Sequence, residues 1–296
     1  MPPVRLRAFA KINQGLKILS PRPDGYHEIR TVYHTLALHD RMEISLQPKR
    51  SIDVECSDTA IPTGKDNLAY RAAELWMKSR NWRGGVRVRI EKRIPAGGGL
   101  GGGSSDAAAT LLGLEFLAGN ALDRLCCFQL AAALGSDVPL FLLGGRVLGC
   151  GRGEEVYPLA DLPSQQCVVV HPDFNVSTAE AYREADRKLT MGRRNSRVKV
   201  FGVWSQFPLE CWGPAENDFE KVVFAKWPGL ARLKAQFIRA GAETASLTGS
   251  GSAVYAIFGS ATQANRAASL APPGWRVFRT RTLTRREYQR SIFVRP

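Results

Sequence analysis

The segment Pro95-Ala96-Gly97-Gly98-Gly99-Leu100-Gly101-Gly102-Gly103-Ser104-Ser105-Asp106 sets six glycines in the seven positions 97–103, between a strand-like run and a helix-like one. Such a run costs conformational entropy on folding, so a plain connector does not account for it. Glycines let backbone N–H groups come close to an anion, and the free N–H groups of the following helix point at the same place. The helix dipole adds a field that favours negative charge. The segment therefore reads as a phosphate-binding loop, with Pro95, Ala96, Leu100, Ser104 and Ser105 as contacts beside the glycines. Gly97, Gly99 and Gly102 also satisfy G-x-G-x-x-G, but no ribose-binding acid follows at the right place in a parallel βαβ unit. The Walker A pattern is excluded, because no Lys-Ser/Thr follows the glycines.

Outward from the loop, Val86 to Ile90 and Met42 to Leu46 alternate apolar and polar residues, as half-buried strands do. Val4 to Leu19 is extended, ending at the Pro23-Asp24-Gly25 turn. Asp66 can cap a helix to about Ser79, with Leu68, Ala72, Leu75 and Trp76 on one face. A second helix begins at Ser104 or Ser105, and a third runs from Leu122 to Leu134. Beyond Glu155, Cys167 to His171 reads as a strand and Thr178 to Lys188 as a helix. Leu189 to about Gly213 loses periodicity and carries Arg193, Arg194, Arg197 and Lys199, which suggests a long irregular insert. A helix at Leu230 to Ala240, a strand-turn-strand at Leu247 to Phe258, a helix at Ala261 to Leu270 and a strand at Trp275 to Thr282 follow. This pattern gives an α+β chain of two domains, residues 1–155 and 156–296.

Of the 296 residues 44% are hydrophobic, enough for a real core, which excludes a wholly disordered chain. No apolar run approaches the ~18 residues that cross a bilayer. Arg5, Arg7 and Lys11 have no apolar h-region behind them, so the expected location is cytoplasmic. The cysteines form no C-x-x-C pair and have no histidine at ligand spacing, which favours free thiols over a disulfide framework or a zinc site. Lys and Arg outnumber Asp and Glu by 41 to 27, a net charge of +14. That surplus suits nucleic acid, an acidic membrane or a phosphorylated small molecule, and composition alone does not choose. The nucleic-acid alternative draws on Arg276, Arg279, Arg281, Arg285, Arg286 and Arg290, and it leaves the glycine loop unexplained.

Several single residues carry chemistry. Asp137 follows Gly135-Ser136 and precedes Val138-Pro139, where a sharp break projects a carboxylate into a cleft or merely makes a turn. Lys11, between Ala10 and Ile12 in an apolar strand, must reach the surface or meet an anion. Asn13 lies on the same strand face. Tyr26 and His27 follow a turn, where such a pair is ordinarily a surface feature. Asn67, beside Asp66 at the expected helix start, reads as part of a helix cap. His34, His39 and His171 read as structural.

Four segments together resemble the GHMP kinase superfamily, small-molecule kinases with a P-x-G-G-G-L-G-G-G-S-S loop. They are Ala10-Lys11-Ile12-Asn13 with Pro23-Asp24-Gly25-Tyr26-His27-Glu28-Ile29, the loop itself, Gly135-Ser136-Asp137-Val138-Pro139, and Leu247-Thr248-Gly249-Ser250-Gly251-Ser252-Ala253. Within the superfamily the sequence is most similar to the 4-diphosphocytidyl-2-C-methyl-D-erythritol kinase family, which the Asp-Gly-Tyr-His element separates from homoserine or mevalonate kinases. The resemblance implies a two-domain architecture with the active site in the cleft between domains. It implies phosphorylation by ATP of the 2-hydroxyl of a cytidine diphosphate conjugate of methylerythritol, in non-mevalonate isoprenoid biosynthesis. Lys11 and Asp137 are then catalytic. Asn13 binds the methylerythritol hydroxyls and Thr178 the erythritol part. Tyr26 stacks on cytosine, His27 hydrogen-bonds it, and Tyr182 supplies the opposing aromatic face. Asn67 lies on the adenine side, and Gly249-Ser250-Gly251 forms a second glycine turn. Mg2+ accompanies ATP, held mainly by phosphates and water with Ser105 as a contact, and no dedicated metal cage is implied. No nucleic acid or membrane partner is expected, and the protein is a monomer or homodimer. Three features depart from the family: Gln14 stands where an apolar residue is usual, and the arginine-rich stretch after Lys188 and the tail beyond Arg276 match nothing diagnostic.

Overall fold

In the computed structural model, which describes residues 2–119, 123–190 and 216–294, a long antiparallel hairpin organises the chain. Its strands are β1 (Val4–Pro21) and β2 (His27–Gln47). The turn between them is built as its sequence suggests: Asp24 Oδ1 accepts the Tyr26 N–H at 3.2 Å, and Gly25 takes φ +81°. The expected strand at Met42 to Leu46 is thus the far end of a much longer one. The expected helix start at Leu122, the insert cations Arg193, Arg194, Arg197 and Lys199, and Cys211 lie outside the described residues.

The length of β2 lets it serve different neighbours at its two ends. β4 (Gly85–Glu91) pairs with Arg41 to Gln47, and β5 (Arg146–Cys150) pairs with Thr31 to His34. β3 (Ile52–Cys56) adds parallel to β4, and β6 (Glu155–Pro158) antiparallel to β5, completing a six-stranded sheet. On β4, Val86, Val88 and Ile90 point into the core while Arg87, Arg89 and Glu91 are exposed.

Helices α1 (Leu68–Ser79), α2 (Gly102–Leu117) and α3 (Arg124–Leu134) supply the rest of that core. The cap of α1 is Asn67 rather than Asp66, its side chain accepting the Ala69 N–H at 2.8 Å. α2 begins at Gly102, before the expected serines, because Gly101 enters at φ +72° and its carbonyl already accepts the Ser105 N–H at 2.9 Å. This helix is buried nearly all round, so it lacks an amphipathic stripe. Truncating a side chain such as Leu111 there would cost about 2–5 kcal/mol. Its buried Glu115 is satisfied by Trp76 Nε1 at 2.7 Å and by Arg80 through two nitrogens at 2.8 and 2.9 Å.

The second sheet is antiparallel, in the order β10 (Arg276–Arg281), β7 (Gln166–His171), β9 (Val254–Phe258), β8 (Thr244–Leu247). Its central strands are covered on both faces, so Cys167 to Val170 and Val254 to Phe258 read as unbroken apolar runs. Val168, Val170, Ala256 and Phe258 pack with α5 (Thr178–Thr190), α6 (Glu220–Lys226), α7 (Pro228–Arg239) and α8 (Ala261–Ala268). Cys167, Val169, Tyr255 and Ile257 instead meet Ala10, Ile12, Leu36 and Leu100. That second contact joins the hairpin, the glycine loop and the C-terminal sheet into one seam.

After β10 the chain returns to the first core. α9 (Arg285–Ser291), begun by a Thr284–Glu287 capping box, buries Tyr288 there, and the Ile292 carbonyl accepts the Arg7 N–H at 2.8 Å. Some of the C-terminal arginines have structural work here. Arg281 bonds Glu287 at 2.6 Å, and the Arg285 guanidinium donates to the carbonyls of Arg146 and Leu159 at 2.7 and 3.2 Å. The described cysteines are all free thiols. Among the described residues no helix is long and apolar enough to cross a membrane.

Candidate functional site

Lys11 is where the hairpin, the loop and the turn before α4 (Leu140–Leu143) come together. Its backbone N–H donates to the Leu100 carbonyl at 2.9 Å, which ties β1 to the glycine loop. Its Nζ lies 3.1 Å from Asp137 Oδ2 and donates to Asn13 Oδ1 at 2.7 Å. The lysine that had to find an anion inside an apolar strand has found this carboxylate.

Asp137 owes its position to its neighbours. α3 ends at Gly135, whose carbonyl accepts the Val138 N–H at 3.1 Å, and Val138 is fully buried. The turn is thereby pinned while the carboxylate stays partly open. Tyr33 Oη donates to Asp137 Oδ1 at 3.0 Å. Burial, then the charge of Asp137, pushes the Tyr33 phenol well above its ordinary range, so it remains an O–H donor.

Asn13, expected at the substrate alcohol, has both ends of its amide on protein partners. Its oxygen accepts from Lys11, and its Nδ2 donates to Thr31 Oγ1 at 2.8 Å. The Thr31 hydroxyl passes on to the Gly15 carbonyl at 2.7 Å. Asn13 therefore orients Lys11 in this structure.

The glycine loop is shaped from two sides. A Cβ on Gly99 would lie 2.1 Å from the Thr248 carbonyl oxygen, and one on Gly98 would lie 2.5 Å from His171 Cδ2. The Ala253 N–H donates to the Gly98 carbonyl at 3.2 Å, and Thr248 Oγ1 donates to that of Gly99 at 3.1 Å. These glycines thus admit the second sheet's turn as well as leaving room for an anion. The loop lines a cavity of about 460 Å³ with Ile61, Pro62, Asn67 and Lys92. The N–H groups of Gly102, Gly103 and Ser104 have no intrahelical acceptor by helix geometry, which makes this end of α2 an anion cradle. Asn67 lines the cavity, although its Nδ2 already bonds the Pro62 carbonyl at 2.8 Å. Ser104 is half-buried, whereas Ser105 is buried.

Beneath the loop lies a charged cluster that sequence reasoning missed. Lys92 Nζ bonds Asp40, and it reaches Asp106 Oδ2 at 2.8 Å. Burial raises the Asp106 carboxyl to about 7 against the opposing pull of Lys92, with Asp40 adding to the rise. Among the described residues no group of three or more His, Cys, Asp or Glu converges on a metal position.

At the hairpin tip, His27 and Tyr182 are stacked, centroids 4.6 Å apart and planes 14° from parallel. Tyr182 is backed edge-on by Phe219 at 4.8 Å. Tyr26 is 52% exposed and faces the Arg152 guanidinium at 4.7 Å. The structure thus brings Tyr182 to His27 and not across from Tyr26. Thr178 Oγ1 lies 2.8 Å from Ser250 Oγ, joining α5 to the second glycine turn. Asn217 Nδ2 holds that turn through the Leu247 and Gly249 carbonyls at 2.9 and 2.8 Å.

Tyr33 and Thr31 also escaped sequence reasoning, and Thr248 entered it only as part of its motif. The register would have found Tyr33, which stands opposite Asn13 in the hairpin. Gln14 now has a reason: its Oε1 lies 3.2 Å from His34 Nδ1. His34 is buried, and that burial, aided by Arg146, pushes its imidazole down to about 4. A larger open groove, about 830 Å³, lies among Arg5, Arg7, Arg41, Glu43 and Arg89, and shares no residue with the loop. Arg5, Arg41 and Arg89 are paired with glutamates there.

The model of the GHMP kinases N terminal domain matches residues 67–145, and that of the GHMP kinases C terminal matches residues 209–270. The chain is 46% identical over 258 residues to the 4-diphosphocytidyl-2-C-methyl-D-erythritol kinase of Solibacter usitatus (strain Ellin6076), covering 86% of this chain and 80% of that protein. It is 38% identical over 283 residues to the enzyme of the same name from Moorella thermoacetica, covering 91% and 95%. A crystal structure of 4-(cytidine 5'-diphospho)-2C-methyl-D-erythritol kinase superposes with a TM-score of 0.75 at 34% identity, over 94% of this chain and 98% of that one.

Proposed function

Because this chain belongs to the 4-diphosphocytidyl-2-C-methyl-D-erythritol kinase family of the GHMP kinases, we propose that it transfers the γ-phosphoryl group of ATP to the 2-hydroxyl of 4-diphosphocytidyl-2-C-methyl-D-erythritol. That places it in non-mevalonate isoprenoid precursor biosynthesis, in the cytoplasm. The observation that carries the reading is the Lys11–Asp137 pair at 3.1 Å, tied through the Lys11 N–H to the loop residue Leu100. Carboxylate, cation and anion cradle thus stand on one continuous frame, which is what phosphoryl transfer to an alcohol requires.

In this reading the nucleotide phosphates rest on the N–H groups at the start of α2, and the acceptor hydroxyl lies against Asp137. A carboxylate offers about four lone-pair directions. Tyr33 uses one on Oδ1 and Lys11 one on Oδ2, so a direction remains for the hydroxyl proton. As the hydroxyl oxygen forms its bond to phosphorus, Asp137 takes that proton and ADP departs. Lys11 stays charged beside the developing negative charge. Magnesium, brought in with the ATP phosphates, would neutralise their charge. Residues 1–155 supply most of one kinase domain and 156–296 most of the other, although β6 and α9 pack with the first, and the reaction lies in the cleft between the two.

Tyr26, His27 and Tyr182 form the base end, and Thr178 stands at the erythritol. A stack of 4.6 Å leaves no room for a base between His27 and Tyr182, so a base taking that position moves Tyr182 aside.

Purified protein incubated with ATP, Mg2+ and the cytidine conjugate should yield ADP and the 2-phosphate. A folded protein that turns over mevalonate or homoserine instead would sink the reading.

A further inference from the structure

Resting on the proposed substrate, one further assignment follows from its chemistry. The conjugate has a base at one end, an acceptor alcohol at the other, and two phosphates between. The base end and the alcohol end both have side chains placed for them, and the diphosphate needs a cation in the middle. The turn between β5 and β6 runs along this middle. Its Gly153 carbonyl lies 3.4 Å from Tyr33 Oη, which itself bonds Asp137. One residue earlier, the Arg152 guanidinium lies 4.7 Å from the Tyr26 ring centroid. Arg152 is the cation of the Gly151-Arg152-Gly153-Glu154 turn.

That turn is rigidly placed. Gly151 and Gly153 take φ +67° and +108°, and a Cβ on Gly153 would lie 2.3 Å from Tyr33 Oη. Glu154 anchors the arginine twice, accepting its backbone N–H at 2.6 Å and its Nε at 3.1 Å. Holding Nε leaves the two terminal nitrogens to act as the fork that suits phosphate oxygens. Arg22 and Arg30 each give a terminal nitrogen to Glu28 and Lys11 pairs with Asp137, whereas Arg152 meets Glu154 through Nε. The Arg152 side chain keeps 28% of its surface exposed, so a ligand can reach it.

We propose that Arg152 is a substrate-specificity residue that binds the diphosphate of the cytidine conjugate, bridging the Tyr26 base end and the Asp137 acceptor end. Its role is to favour a nucleoside diphosphate over the bare nucleoside.

The test compares CDP and cytidine by calorimetric titration of the whole protein, apart from any turnover. The wild-type protein should bind CDP about tenfold or more tighter than cytidine, as a charge-assisted contact supplies. In Arg152→Gln that preference should fall to about threefold or less, and Arg152→Lys should recover part of it. KM for the conjugate should rise by a similar factor in Arg152→Gln, with KM for ATP little changed. Equal weakening of CDP and cytidine would overturn the proposal, since it would leave Arg152 only a stacking support for Tyr26. An unchanged ratio would overturn it as well. Failure of the wild-type protein to phosphorylate the conjugate would instead strike the proposed reaction, while the CDP-to-cytidine ratio still decides Arg152.

Discussion

Lys11 Nζ and Asp137 Oδ2 are 3.1 Å apart, yet the two side chains see very different amounts of water: 3% of the lysine is exposed against 30% of the aspartate. Closing over both charges would cost the desolvation of each. Here the cation is sealed behind the loop while the carboxylate keeps an open side. The open side is where an alcohol can approach, and the sealed lysine is held there by Asn13 and Leu100.

Asp137→Asn should therefore lower kcat by about two to four powers of ten, the range of a lost general base. The amide fits the same space, so the fold should persist. Nucleotide affinity should survive within a few-fold, because the cradle at α2 is untouched. Single-turnover kinetics with ATP titration separates the two, and near-normal turnover in this variant would remove Asp137 as the base.

Tyr33→Phe tests the partner that sequence reasoning missed. The substitution removes the 3.0 Å bond to Asp137 Oδ1 while keeping the buried ring. It leaves no orphaned donor, so stability should change by about 1 kcal/mol or less. The loss should fall on kcat, by about tenfold, with KM for ATP little changed. A variant with full kcat would reduce Tyr33 to packing.

How much of this was legible beforehand follows from what each residue is doing. The glycine run and Lys11 are legible because each is out of place for a plain core: glycines cost entropy, and a lysine in an apolar strand needs an anion. Asp137 by itself reads equally as a turn residue, and only the family resemblance singles it out. β7 and β9 were legible in outline, since strands buried on both faces show as apolar runs. The first half of β2 was not. It buries Thr31, His34 and Thr35 through long-range partners, so no alternation of apolar and polar residues marks it. For Asn13 the family resemblance implies a ligand contact, whereas its partners Thr31 and Thr248 depend on tertiary placement. Nor could a single sequence show that Gly98 and Gly99 are pressed by His171 and Thr248, residues well over sixty positions away.

That pressure makes the glycines of the loop unequal. Gly99 has φ +77°, and any Cβ there would overlap the Thr248 carbonyl oxygen at 2.1 Å. Gly99→Ala should cost at least about 2 kcal/mol in urea unfolding, from the left-handed backbone and the clash together. Gly103 lies in the first turn of α2, and its nearest neighbour would be Leu68 Cδ1 at 3.7 Å. Gly103→Ala should be neutral or stabilise by up to about 1 kcal/mol. Equal losses at both positions would argue against the seam between loop and second sheet.

The Lys92 cluster gives a pH dependence with a definite sign. Asp106 titrates near 3.9 in an unfolded chain, but in the folded protein burial raises it to about 7. Between those values the folded state holds a proton that the unfolded state has released. The stability tied to this group is therefore fully present below about pH 4 and is lost as pH rises through about 7. Asp106→Asn cannot titrate, and its amide can still sit beside Lys92, which keeps Asp40 as its ionic partner. The stability of the wild-type protein minus that of the variant should thus fall, by on the order of a few kcal/mol, between pH 4 and pH 8. Urea unfolding of both proteins at pH 5 and pH 8 reads this difference directly, with other titrating groups cancelling between them. A difference that stays flat, or grows with pH, would show that Asp106 is already ionised in the folded protein and held by Lys92 alone.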